Sequence, residues 1–210
     1  LYTSSSTNLL VNNSVFINNS ASEYGGVIFN PHNSNINNSV FINNFAVRDG
    51  GVLYTSSDLL VNNSVFINNA AVFGGAIHGE IATIINSTFD SNHGNSLTNS
   101  SQGAAIFASR LNLTDCSFVN NFGDISIVEA MVLNMTNCSV VNNSASYQSI
   151  LKISDGNKNN GFILNSNVSN NSGRYGILYG KNCVVVDSIF SSNIAGKSGG
   201  VSGDNLTILN

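Results

Sequence analysis

The sequence predicts an all-β protein, a right-handed single-stranded parallel β-helix (solenoid) of about eight to nine coils of ~25 residues with three short strands per coil. Three observations lead there. The string SVFINN recurs at Ser14–Asn19, Ser39–Asn44 and Ser64–Asn69, and weaker copies end at Asn92, Asn121, Asn143, Asn171 and Asn193. The composition avoids helix formers and favours Asn, Ser, Val and Ile. Only 9% of the 210 residues are charged, against ~25% in a typical soluble domain, while 38 are Asn.

Aligning the copies shows what each position accepts. The anchor is Phe16, Phe41, Phe66, Phe89, Phe118, Val140, Val168 and Phe190. Three residues later comes an Asn in every copy: Asn19, Asn44, Asn69, Asn92, Asn121, Asn143, Asn171 and Asn193. Two residues earlier the side chain is small, Ser14, Ser39, Ser64, Ser87, Cys116, Cys138, Ser166 and Ser188. Five earlier it is apolar, from Val11 and Ile36 through to Val185. A disordered low-complexity tract does not keep such a phase. A Gly-Gly marker follows most copies, as at Gly25–Ile28, Gly50–Leu53 and Gly74–Ile77.

Each copy therefore holds three β-prone pieces, of the Leu9–Val11, Ser14–Ile17 and Val27–Phe29 kind, separated by turn-forming Asn, Ser or Gly. Stacked in register, the anchor aromatics Phe16, Phe41, Phe66, Phe89, Phe118 and Phe190 form an internal stack, and the Asn residues sit at corners where their amides ladder from coil to coil. Charges repeated in register would repel, which accounts for their scarcity. A leucine-rich repeat shares the period, but its return segment needs Leu at several fixed sites, where this chain has Gly-Gly and β-branched residues. No composition break divides residues 1–210, so they form a single β-helix domain.

The alternation of Phe-x-x-Asn with Gly-Gly-Ala/Val-Ile/Leu, best seen at Phe16/Asn19 with Gly25–Ile28, Phe41/Asn44 with Gly50–Leu53 and Phe66/Asn69 with Gly74–Ile77, resembles the repeats of chlamydial polymorphic outer-membrane proteins. The Asn-rich, cation-poor form is also similar to adhesin-like right-handed β-helix proteins of methanogenic archaea. The resemblance implies a cell-surface or extracellular location and a non-catalytic, adhesin-like role, with a host or neighbouring-cell surface protein or glycan as partner. The chain opens inside a repeat without an initiator Met and ends at Leu206–Asn210, which resembles the first strand of a further coil, so it is expected to be an excerpt of a longer surface protein in contact with neighbouring coils or domains.

Other functions find little support in the residues. Seven scattered cations make no nucleic-acid stripe, and no apolar run is long enough for a membrane span. No cofactor motif is present, because the Gly-Gly pairs precede strands. His32, His78 and His93 fall in different parts of different coils and read as surface residues rather than metal ligands. The acids, Asp90, Asp115, Asp124, Glu129 and Asp187 among them, show no catalytic pairing and read as solvated surface or corner substitutes for Asn. No catalytic residue is assigned; the alternative is a carbohydrate-active β-helix that binds or, like a pectate lyase, degrades polysaccharide. Cys116 and Cys138 share a phase in adjacent coils, but stacked in-register cysteines have poor disulfide geometry. Cys183 reads as core.

Two features are candidates for binding. Val15, Ile17, Val40, Ile42, Val65 and Ile67 flank the anchor Phe and should point outward as an aliphatic face, an arrangement that β-propensity or cover by a neighbouring coil would equally explain. Two insertions supply loops, with His93, Asn95 and Asn99 in the first and Asp155 and Lys158 in the second.

Overall fold

The computed structural model describes residues 1–2, 8–95, 100–154 and 160–210. Its strands stack in parallel into three sheets of thirteen, eight and eight strands, forming a solenoid. Each coil crosses a wide face, turns, crosses a narrow face, turns again and reaches a short third face. In the third coil these are Leu53–Asn62, Val65–Ile67 and Ala70–Ala71.

The repeat phase becomes the register. Phe16, Phe41, Phe66, Phe89, Phe118, Val140, Val168 and Phe190 are paired in that order along the narrow face. The apolar row five residues earlier is likewise continuous from Val11 through Ile36, Val61, Ile84, Leu113, Met135 and Ile163 to Val185. All of these except Phe16 and Phe190 are buried, so the core is a column of layers of identical chemistry.

The corners divide the Asn residues into two classes. Asn13, Asn38, Asn63, Asn86, Asp115, Asn137, Asn165 and Asp187 turn the chain from the wide to the narrow face with φ between 46° and 54°. Asn18, Asn43, Asn68, Ser91, Asn120, Asn142, Asn170 and Ser192 make the next turn, again left-handed. That conformation costs most L-residues ~1–2 kcal/mol, and Asn and Asp lower the cost with local hydrogen bonds. The Asn directly after this second corner points inward. The Gly pair closes the coil: Gly50 has φ 62°, and a Cβ at Gly51 would stand 2.0 Å from the Gly75 oxygen of the next coil.

The three strands of a coil are not divided as the sequence reading divides them. The Val27–Phe29 and Leu9–Val11 kinds of piece belong to one sheet, and in the central coils they fuse into strands such as Leu53–Asn62, Ile77–Ile85 and Ile106–Thr114. The third face is built from two-residue strands right after the inward Asn, for example Ser20–Ala21 and Phe122–Gly123. Two residues are too few for an alternation of hydrophobicity to register.

Candidate functional site

The inward Asn residues form a saturated amide ladder. Asn69 Oδ1 accepts from the backbone N and Nδ2 of Asn44 (2.9 and 3.0 Å), and Asn69 Nδ2 donates to Asn92 Oδ1 and the Phe41 carbonyl (both 3.0 Å). Asn92, Asn121, Asn143 and Asn171 repeat the pattern, ending at Asn193; Asn19 opens it at the exposed first coil. With two donors and two acceptors all used, no other side chain of this size fits. The small residues make a second ladder. Ser39 Oγ donates to the Asn37 carbonyl (2.8 Å) and accepts from Ser14 N (3.2 Å). Cys116 and Cys138 take the same place as free buried thiols, with Cys138 Sγ accepting from Cys116 N (3.5 Å). The hydrogen bond from Cys138 lowers the Cys116 thiol and raises its partner, and burial pushes Cys183 up to about 11.

Rings of Phe16, Phe41, Phe66, Phe89 and Phe118 stack with centroids 4.7–5.2 Å apart and planes within 9°. Phe190 is in register but stands apart from these rings, because Val140 and Val168 intervene.

The outward aliphatic row is present as a surface. Val15, Val40 and Val65 are in register, as are Ile17, Ile42 and Ile67. Val15 and Ile17 are 62% and 50% exposed; the other four are half-buried, Val40 and Ile42 between their own equivalents and Val65 and Ile67 against Thr88 and Asp90 of the next coil. Of the loop residues, His93 is half-buried in the third face, its N donating to the Asn69 carbonyl, and Asn95 is exposed. Asn99, Asp155 and Lys158 lie outside the described residues.

Two groups differ from the surface reading. Glu129 is buried, accepting from Lys152 Nζ and Ser154 Oγ at Oε1 and from Ser126 Oγ at Oε2, all at 2.8 Å. Lys152 is its registered neighbour one coil on, so the acid is paired with an in-phase cation. His78 is half-buried, its Nδ1 2.8 Å from Oδ1 of the buried Asp49, and its ring meets Tyr54 and Phe107 edge to face at 5.0 Å each. It belongs to an outward aromatic row, Phe29, Tyr54, His78 and Phe107, one per coil. The sequence carries the signal: each stands four residues after the left-handed Gly25, Gly50, Gly74 or Gly103. Tyr2, Phe29 and Tyr54 stack face to face, with centroids 5.3 and 5.4 Å apart.

Among the described residues, no group of three or more His, Cys, Asp or Glu is placed to hold a metal ion, and no helix is long and apolar enough to cross a membrane.

The inward Asn row and the Ser/Cys row are satisfied by ladders, and the outer faces vary from coil to coil; this is the plan of a parallel β-solenoid repeat protein. Within that class, residues 13–31, 38–56 and 63–80 match the model of the Chlamydia polymorphic membrane protein (Chlamydia_PMP) repeat. Each matched segment runs from a left-handed corner through the anchor Phe, the ladder Asn and the Gly pair, so these are the elements in which the first three coils are similar to this repeat. No curated protein and no solved structure matches the chain.

Proposed function

We propose that this chain is a non-catalytic segment of a surface-exposed, adhesin-like protein that presents its outer faces to a protein or glycan of a host or neighbouring cell. The observation that carries the reading is the aliphatic face of the first three coils. Six Val and Ile side chains stand side by side on a flat sheet whose inner side is already filled by the Phe stack. Contiguous exposed apolar surface of this kind is a feature of interaction sites. The three matched repeats cover the same coils and come from a membrane-protein family, which supports an outer-membrane or surface location.

The test is a cell-binding and glycan-array assay with the wild-type chain and a Val15→Thr, Ile17→Thr, Val40→Thr, Ile42→Thr variant. The variant is expected to lose most binding while keeping its β-rich circular dichroism. Unchanged binding refutes the aliphatic face, and release of sugar products from acidic or neutral polysaccharides refutes the non-catalytic reading in favour of a carbohydrate-active solenoid.

A further inference from the structure

The wide face of the first four coils carries a groove of about 770 Å³ that the proposal above does not use. Its floor is apolar. Leu10 and Leu60 lie on one outward row, separated by Asn35, and Ile81 stands beside them one coil further on. They are 62%, 38% and 37% exposed. The rim is anionic. Asp58 is in register with Ile81, and Glu80 precedes it. Both carboxylates are exposed, and neither has a hydrogen bond or ion pair among the described residues.

The backbone is irregular at this point. The register between Leu53–Asn62 and Ile77–Ile85 slips between Gly79 and Ile81, the extra residue lying in Leu53–Asn62, where Ser56 and Asp58 are exposed. Bulges re-aim side chains in this way beside functional sites. Tyr54 is near Glu80, and its phenol is held up first by burial, then by the charge of Asp49 and by Tyr24 and Glu80.

We propose that this groove binds arginine- or lysine-bearing side chains of a basic polypeptide segment, the aliphatic stem lying on Leu10, Leu60 and Ile81 and the charged head between Asp58 and Glu80. An apolar floor with an unpaired anionic rim is complementary to a long cationic side chain, which keeps its stem on apolar surface and its head in water. Arg110, in register with Ile81 on the next coil, is a cation of the same chain that competes for the rim. The inference rests on reading the chain as a binding solenoid, but not on the aliphatic face.

The test is fluorescence anisotropy with a labelled Arg/Lys-rich decapeptide, using the whole chain. Glu and Ser/Gly decapeptides serve as controls, and tetramethylammonium serves as a competitor that has charge but no stem. The basic peptide alone is expected to bind, with affinity falling as salt rises. Asp58→Asn with Glu80→Gln should weaken binding about fivefold or more, since each exposed pair contributes up to ~1 kcal/mol. Arg110→Ala should strengthen it, and Leu60→Ser should weaken it at all salt concentrations. Asp187→Asn with Asp204→Asn makes the same change in net charge on distant coils and should leave binding unchanged. The inference is overturned if the two double variants weaken binding equally, if the neutral peptide binds as well, or if tetramethylammonium displaces the peptide. Loss of peptide binding alongside intact cell or glycan binding overturns this inference alone; the reverse result overturns only the aliphatic face.

Discussion

Coils one to five and coils six to eight build the same column with different parts. In the first group the anchor is Phe, with each ring stacked on the next; in coils six and seven it is Val140 and Val168, still fully buried. The Gly pair persists through the third coil, becomes Gly103-Ala104 in the fourth, and gives way to Ile125-Ser126 and Gln148-Ser149. Through all of this the amide ladder runs unbroken from Asn19 to Asn193. A ring supplies volume and dispersion, which other side chains can supply if their neighbours adjust. The ladder amide has four obligatory partners on two adjacent coils, and nothing else of its shape meets them. The turn shows the same kind of adjustment. Ala104 brings a methyl where earlier coils have Gly, and residue 123 below it is Gly, where a Cβ would come within 2.9 Å of that methyl.

The largest expected effect tests the ladder. Asn92→Leu strands Asn69 N, Asn69 Nδ2 and the Phe66 carbonyl in the core. At ~1–3 kcal/mol for each unsatisfied buried group, it should cost more than about 4 kcal/mol in urea unfolding. Asn19→Leu, on the exposed first coil, should cost less than about 1 kcal/mol. Similar losses at both sites would show that the ladder is not cooperative with burial. Next comes the anchor. Phe66→Ala should cost ~3–5 kcal/mol through the cavity it opens, and Val140→Phe ~1–3 kcal/mol through overpacking, although Phe is the anchor in most coils. A stabilised Val140→Phe variant would mean that the later coils are merely underfilled rather than repacked. The smallest effect is at the second ladder. Cys116→Ser should change stability by less than about 0.5 kcal/mol, because Ser87 and Ser166, one coil away on either side of the Cys116–Cys138 pair, already make the equivalent hydroxyl contacts.

Much of this was legible before any coordinates. Phase alone predicted the Phe register, the apolar row from Val11 to Val185 and the ladder Asn, because identical strands stacked in parallel leave one alignment that buries every apolar residue. The third face is also written in the sequence. Two residues after each ladder Asn stands Ala21, Ala46, Ala71, Gly94, Gly123, Ala145, Gly173 or Ala195, a small-residue rule with eight instances. The sites were less legible. Glu129 looked like surface because its partner, Lys152, lies 23 residues away, in a coil whose register is set by the stack. Asp58 and Ile81 are in phase, each three residues before the apolar Val61 or Ile84, but nothing in an Asp or an Ile by itself marks the groove they line.

By itself, then, the sequence determined the period, the parallel stacking and which residues fill the core, since these follow from a pattern repeated often enough to outweigh any single exception. Tertiary structure alone decided which of two adjacent Asn residues makes the left-handed corner and which turns inward to the ladder, which charges are paired, and where the wide face opens into a groove. Those outcomes depend on contacts about 4.8 Å apart along the axis but more than twenty residues apart along the chain, a distance that no local pattern encodes.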